Sequence, residues 1–291
     1  MLIKEACEIS GLTKKAVEYY IEKDLVHPTI LENGYRNFNT NDVNRLKKIS
    51  ILRKLGLGTD DIKIILSDES GQALQEISTQ RELNLDREKI KQSILDKLSS
   101  GEDWERINEE LKTVEQNKTI TERLLDSFPG YYGRFISLHF SRFLNEVITA
   151  PQQQEAYDDI LNFLDNTPPL EFPKEVEEFL VENTKHISTQ VILDMAENTK
   201  KSIENPEKFL AENKEMLSQY LAYKQSDEYR SSPVYKIQSM LKEFNSSSGY
   251  YDVFIPAMKK LSPSYRDYYK QLEIANKKLL SEYPEIEQLG N

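Results

Sequence analysis

Lys14, Lys15, Glu18, Tyr19 and Tyr20, followed by Tyr35 and Arg36, are the side chains near the start of the chain whose chemistry goes beyond packing. Ammonium and guanidinium groups neutralise phosphates, and a carboxylate can accept a hydrogen bond from a cytosine amino group. Phenol rings add an apolar edge and a polar tip. The mixture suits nucleic acid, provided that a helix presents the first set and a hairpin the second.

The surrounding residues supply those elements. Ile3, Ala6, Cys7 and Ile9 form a short apolar stripe at helical spacing, and Gly11 ends that helix where a left-handed residue is easiest. Thr13 is a natural N-cap for a second helix from Lys14 to Lys23, with Val17 and Ile21 facing inward. Val26 to Ile30 reads as a strand, Asn33-Gly34 as a tight hairpin turn, and Tyr35-Arg36-Asn37-Phe38 as the returning strand. Asn39 with Asp42 caps a third helix carrying Val43, Leu46, Ile49 and Leu52 as far as Gly56, and Ile62, Ile65 and Leu66 continue into a fourth. The predicted unit is a helix-turn-helix with a small β wing.

In order, Ile3-Lys4-Glu5-Ala6-Cys7, Gly11-Leu12-Thr13, Tyr19-Tyr20, Leu25, Pro28, Asn33-Gly34-Tyr35-Arg36-Asn37-Phe38, Asp42-Val43 and Leu55-Gly56-Leu57 resemble the MerR family of bacterial transcriptional regulators. The resemblance is close over the first 66 residues. It implies a homodimer joined by an antiparallel coiled coil of the following helix, bound to double-stranded promoter DNA of pseudo-palindromic sequence. It further implies Lys14, Lys15, Glu18, Tyr19, Tyr20, Tyr35 and Arg36 at or near the DNA, with Lys and Arg mainly on phosphates. RNA polymerase is then an indirect partner, because members of the family bend and untwist an over-long promoter spacer so that the polymerase engages both elements.

Three positions depart from the family pattern. Glu18 stands where an arginine is usual, Ala16 where a threonine is common, and Asp24 where a glycine usually ends the recognition helix. Glu18 either reads a base edge, which alters the operator, or pairs with Lys14 or Lys15 on the helix surface. Cys7 occupies an inner-face position usually held by a small apolar residue and is read as packing. Metal-sensing members carry cysteines flanking the dimerisation helix, and this chain has none there, so neither metal nor cofactor is expected.

Charge divides the molecule. The whole chain carries −11, yet residues 1–66 hold 11 Lys and Arg against 9 Asp and Glu, and the remainder 27 against 40. DNA contact should therefore be confined to the N-terminal unit, and affinity should depend on salt and on dimerisation. A single cysteine excludes an intrachain disulfide. With neither a signal peptide nor a bilayer-length apolar segment in the sequence, a cytoplasmic protein away from membranes is expected.

Beyond Asp68, the residues Leu74, Ile77, Leu83, Ile90, Ile94 and Leu98 suggest an imperfect coiled-coil arm. Ser99-Ser100-Gly101 breaks it, and Trp104, Ile107, Leu111 and Val114 begin another helix with Trp104 as a packing anchor. From Phe128-Pro129-Gly130 onward the segments 134–148, 154–164, 174–197, 206–224, 233–244 and 264–281 all read as helix. The chain is thus expected to be mainly α: a winged helix-turn-helix over 1–68, a dimerisation helix over 69–100 and an all-helical domain over 101–291.

Two aromatic stretches mark the last domain, Phe128 to Phe143 and Tyr250 to Tyr269. They could line one cavity for a small lipophilic or cationic aromatic ligand, with Tyr131, Tyr132, Phe135, His139, Arg142 and Phe143 as its walls. An all-helical domain of this size also needs aromatics in its core, and as an ordinary core they would leave the domain as a protein-interaction or assembly module. An enzyme domain fused to a DNA-binding head is the remaining alternative. The three histidines show no zinc or hydrolase spacing, and neither a P-loop nor a nucleophile elbow is present, so the reading is a regulator and not an enzyme.

Overall fold

A computed structural model describes residues 1–128, 130–144 and 146–289 of the chain. Pro129, Asn145, Gly290 and Asn291 lie outside the described residues, so the expected helix over 134–148 and the domain over 101–291 are followed only where described. The chain divides into two compact units, residues 1–77 and 78–291. It is mainly helical, and the β structure of the described residues is one two-stranded sheet. Among them no helix is long and apolar enough to cross a membrane.

The first unit begins with α1 (Ile3–Ser10) and α2 (Lys14–Glu22). Gly11 between them adopts φ 67°, and Thr13 Oγ1 accepts the Ala16 N–H at 3.2 Å. The wing is smaller than the sequence suggests: β1 is Thr29–Ile30 and β2 is Arg36–Asn37, antiparallel with Thr29 opposite Asn37. Val26, expected to open the first strand, is instead fully buried in the core. The Leu31 N–H donates to the Tyr35 carbonyl at 2.8 Å across the turn, where Gly34 has φ 76° and Asn33 Oδ1 accepts the Tyr35 N–H.

Next come α3 (Thr40–Lys54) and α4 (Thr59–Ser67). Asn39 and Asp42 cap α3 reciprocally, each side chain accepting the other's backbone N–H at 2.9 Å. Ala6, Val17, Leu25, Phe38, Leu46 and Ile62 are at the centre of this unit's core. Burying these side chains against one another provides the driving force that short helices of eight or nine residues lack in isolation.

The next helix, α5 (Gln72–Ser99), belongs to both units. Ile77 joins the N-terminal core, whereas Leu83 packs with Leu138 and Ile192 in the second unit. Further along, Ile94 packs with Ile107 and Val114 of α6 (Trp104–Ser127), flanked by Ile90 and Leu98. Much of the stripe expected to face another subunit is therefore covered by this chain itself. Trp104, expected to be a packing anchor, is 73% exposed at the start of α6.

The rest of the second unit comprises α7 (Gly130–Ser141), α8 (Pro151–Asn166), α9 (Lys174–Thr184), α10 (Thr189–Glu204), α11 (Pro206–Glu212), α12 (Lys214–Gln225), α13 (Asp227–Arg230), α14 (Pro233–Ser247), a π-helical turn at Tyr250–Phe254, α15 (Ile255–Leu261), α16 (Pro263–Glu282) and α17 (Glu285–Leu289). Two long expected helices are broken. The one over 174–197 is interrupted before Ser188, whose hydroxyl starts α10 by accepting the Val191 N–H at 3.3 Å. The one over 206–224 breaks at Asn213, whose side-chain amide donates to the Phe209 carbonyl at 2.9 Å and so competes with helix continuation. The helix expected to run on from Arg134 ends at Ser141.

The main core of this unit gathers both aromatic stretches. Phe140 lies 5.0 Å from Phe254 and 5.5 Å from Tyr265, and Phe143 lies 5.2 Å from Tyr265, as ring centroids. Gly133 permits the tight corner between α6 and α7, since a Cβ there would stand 2.3 Å from the Phe128 carbonyl oxygen.

Candidate nucleic-acid interface

On α2, the inward positions are taken by Val17 and Tyr20, and this fixes which side chains remain outside. Lys14 and Lys15 are exposed, as is Tyr19 at 40%. Glu18 is half-buried, with its carboxylate 3.7 Å from the Lys14 ammonium one turn earlier. The helix thus presents two lysines near its N-terminus, one of them partly balanced by Glu18. An exposed pair of this kind contributes little stability, so it can re-form around a base or phosphate at low cost.

Tyr20 corrects the expectation that it reaches DNA. It is 6% exposed, part of the unit's core, with its ring edge-on to Tyr19 at 5.6 Å. Periodicity alone left the facing of this position open, because Tyr19 and Tyr20 are neighbours and only packing decides which turns inward. Tyr20 supports Tyr19 from within.

The wing adds Tyr35, 61% exposed, and Arg36, half-buried on β2. Ile30 and Leu31 on the facing side of the hairpin are also exposed, at 74% and 40%. An apolar wing tip was not singled out from the sequence, where Ile30 ends the expected strand and Leu31 lies between it and the turn.

Two further cations matter to this surface. Lys23 lies at the end of α2 with Nζ 5.8 Å from the Tyr19 ring centroid, a four-residue spacing that was legible in the sequence. Arg45 on α3 donates from Nε to the Leu25 carbonyl and from Nη1 to the Leu66 carbonyl at 3.2 Å. It pins the chain leaving α2 to the end of α4, a positioning role that no periodicity reveals. Asp24, between them, adopts φ 61°, and its carboxylate lies 3.3 Å from Lys63 Nζ and 3.4 Å from His27 Nδ1. Burial raises the Cys7 thiol pKa, helped by the Glu18 carboxylate, which favours the unreactive thiol.

Residues 1–69 match the family described as MerR HTH family regulatory protein. The HTH-type transcriptional regulator HmrR of Rhizobium leguminosarum is 30% identical over 92 residues, which is 30% of this chain and 71% of that protein. The chain belongs to the MerR family. The HTH-type transcriptional activator mta of Bacillus subtilis is 26% identical over 146 residues, 50% of this chain and 52% of its own length. The HTH-type transcriptional regulator CueR of Escherichia coli is 37% identical over 62 residues, 21% of this chain and 46% of its own. The chain thus spans about half the length of most of these relatives, and no solved structure matches it. The N-terminal elements described above coincide with the MerR match. At 146 residues the match of mta is about twice as long as the family match.

In the second unit, the residues expected around a ligand are distributed between two clusters. Tyr131 and Phe135 pack with Leu83, Leu138 and Ile192, whereas Tyr132 and Phe143 pack in the main core. His139 sits among rings, with centroids 5.0 Å from Phe140, 5.5 Å from Phe143 and 5.6 Å from Tyr268, and stacks near Phe135 at 6.2 Å. Burial, reinforced by the Arg142 charge, lowers its pKa from 6.5 to about 4, so it is neutral at pH 7. Burial also pushes the Tyr132 phenol up to about 12. Arg142 lies against the Phe143 ring at 5.3 Å.

Proposed function

We propose that this MerR protein is a transcription regulator that grips a pseudo-palindromic promoter as a homodimer and switches transcription by distorting the DNA when its C-terminal unit binds a small molecule. What carries the reading is the coincidence of the family match over residues 1–69 with an exposed cationic helix face, Lys14, Lys15 and Tyr19, followed by a wing exposing Tyr35. Cationic groups on a helix-turn-helix and wing supply the sequence-independent grip, and Glu18 is the group able to read a base.

Dimerisation in this reading uses the face of α5 that the chain leaves open. Leu85, Glu88, Gln92 and Leu95 recur at 3-4-3 spacing and are all exposed, the two leucines at 57% and 56%. In this reading the exposed face, with a leucine at each end and Glu88 and Gln92 between them, meets the second subunit, and it is distinct from the covered stripe of Leu83, Ile90 and Ile94. RNA polymerase is engaged indirectly through the reshaped promoter, the site of action is the cytoplasm, and the protein is not an enzyme.

A second reading, in which the C-terminal unit is an interaction or assembly module without a ligand, is favoured by the mutual packing of Phe135, His139 and Phe143. Footprinting the purified protein on DNA upstream of its own gene, across several salt concentrations, tests the leading proposal. Protection of a symmetric site within a long promoter spacer is expected. Weak protection indifferent to sequence would overturn it.

A further inference from the structure

A cavity of about 430 Å³ opens in the second unit away from the aromatic core, between α12, α13, α14, α16 and α17. Its size falls in the range of small-molecule sites, roughly 300–1,000 Å³. Leu217, Leu221 and Leu279 supply an apolar floor, and Tyr220, Tyr235 and Tyr283 supply aromatic walls. Leu279 also borders a smaller apolar cavity of about 170 Å³ lined by Ile203, Phe209 and Leu210, which lengthens the apolar side.

Among the polar groups of this cavity, Lys224 is a cation held in place by its neighbours. Lys224 Nζ lies 4.1 Å from the Tyr229 ring centroid and 5.8 Å from that of Tyr220. It donates to the Tyr229 hydroxyl and to Gln238 Oε1, and the Tyr229 hydroxyl itself donates to Gln238 Oε1 at 2.5 Å. Tyr229, only 5% exposed, is held edge-on by Tyr223 and Tyr235, each at 5.4 Å. A lysine side chain ordinarily loses much rotamer freedom when it binds something, and here that cost has been met on folding.

Charge sets the class of ligand. Residues 78–291 hold 27 Lys and Arg against 37 Asp and Glu, yet the cavity is lined by Lys224 and Lys242 and by no carboxylate. Among the described residues Lys224 makes no ion pair. An ammonium offers three donors, and two of those on Lys224 go to neutral oxygens, which hold it less strongly than an anion would.

We infer that this cavity binds a flat aromatic organic anion, its ring system between the tyrosines and its carboxylate, sulfonate or phosphate on Lys224. The inference deepens the effector reading proposed above and rests on it for the consequence of binding, though not for binding itself. It also reverses the sign of ligand expected from the acidic composition, because the local lining is cationic where the unit as a whole is not.

The full-length protein is titrated by calorimetry with naphthalene-1-sulfonate and with naphthalene-1-sulfonamide, a neutral molecule of nearly the same shape. Saturable sulfonate binding is expected at a single site, with the sulfonamide about tenfold weaker for want of the charge-assisted bond. Lys224→Met should abolish that preference while leaving sulfonamide binding in place, and Leu279→Trp should abolish both by filling the cavity. Should Lys224→Met lower the melting temperature, Lys224→Gln, which keeps a donor to Gln238, gives the same reading. Equal binding of the two probes, absence of saturable binding, or a sulfonate preference that survives loss of Lys224 would overturn the site. Repeating the promoter footprint with the sulfonate separates the two ideas: Lys224-dependent binding with an unchanged footprint upholds the site and removes its regulatory role.

Discussion

Arg134 Nε donates to Thr79 Oγ1 at 3.1 Å, joining a buried guanidinium on α7 to a fully buried hydroxyl on α5. The same guanidinium donates from Nη2 to the Ile187 carbonyl at 2.8 Å, and Thr79 Oγ1 lies 3.3 Å from the Thr189 hydroxyl. One side chain thus fastens α5 to α7 and to the turn before α10. Arg134→Leu should destabilise the C-terminal unit by about 1–3 kcal/mol, the cost of leaving buried acceptors unmet. Arg134→Lys should recover only part of it, since an ammonium lacks the fork that spans both acceptors. Thermal unfolding of the three proteins checks the order.

Arg36→Ala should weaken binding to all DNA sequences alike and lower the slope of log affinity against log salt by about one unit, as expected for one lost phosphate contact. Binding titrations at several salt concentrations measure this directly. An unchanged slope would remove Arg36 from the interface.

Glu18→Arg should change base preference more than stability, because the residue lies outside the core and its ion pair with Lys14 is solvent-exposed. Selection of binding sites from a random pool, run beside a melting curve, gives both readouts. A lowered melting temperature with the same preferred site would show that Glu18 serves only the helix.

Asp24 holds a left-handed conformation at φ 61°, which costs most side chains about 1–2 kcal/mol. Asp24→Gly should therefore leave stability unchanged or raise it by up to about 1 kcal/mol, since the exposed contacts to Lys63 and His27 return little. Asp24→Val should lower it by about 1–2 kcal/mol. Denaturant titration of both variants decides whether the backbone or the ion pairs dominate here.

His139 makes stability depend on pH. Its folded pKa of about 4 is below the ordinary 6.5, so between these values the unfolded chain binds a proton that the fold rejects. The contribution is therefore complete above about pH 6.5 and declines as pH falls toward 4, by up to about 3 kcal/mol. His139→Phe, which keeps an aromatic ring among Phe140, Phe143 and Tyr268, should flatten the stability profile over that window. An equally steep profile in the variant would assign the acid sensitivity to carboxylates elsewhere.

Features that depend on neighbours a few residues away were legible in the sequence. Thr13 before α2, Asn39 with Asp42 before α3, Gly11 after α1 and the Asn33-Gly34 turn all do in the structure what their side chains dictate locally. The departure at Asp24 also proved meaningful, because a non-glycine residue there does take a left-handed backbone. Exposed Lys15 was readable for the same reason, since with Val17 turned inward a 3.6-residue period leaves it on the opposite face, whereas Lys14 shares the side of Val17 and is exposed as the first residue of the helix.

What depended on partners far along the chain was not. Periodicity identified an apolar stripe on α5 but not its covering, and the structure covers Leu83 and Ile94 with residues of the same chain. The aromatic run around His139 suited a cavity wall as well as a core, and the structure packs it with rings from more than a hundred residues later, including Tyr265 and Tyr268. The cavity around Lys224 gathers five helices, and no single segment bears a pattern for it. The sequence by itself thus determined the capped helices, the turn and the family, since these follow from local hydrogen bonding and backbone preference. Only the tertiary structure decided which apolar faces meet, that Tyr20 is buried, and where an unfilled cavity remains, because side-chain packing across long sequence separations is a property of the whole fold.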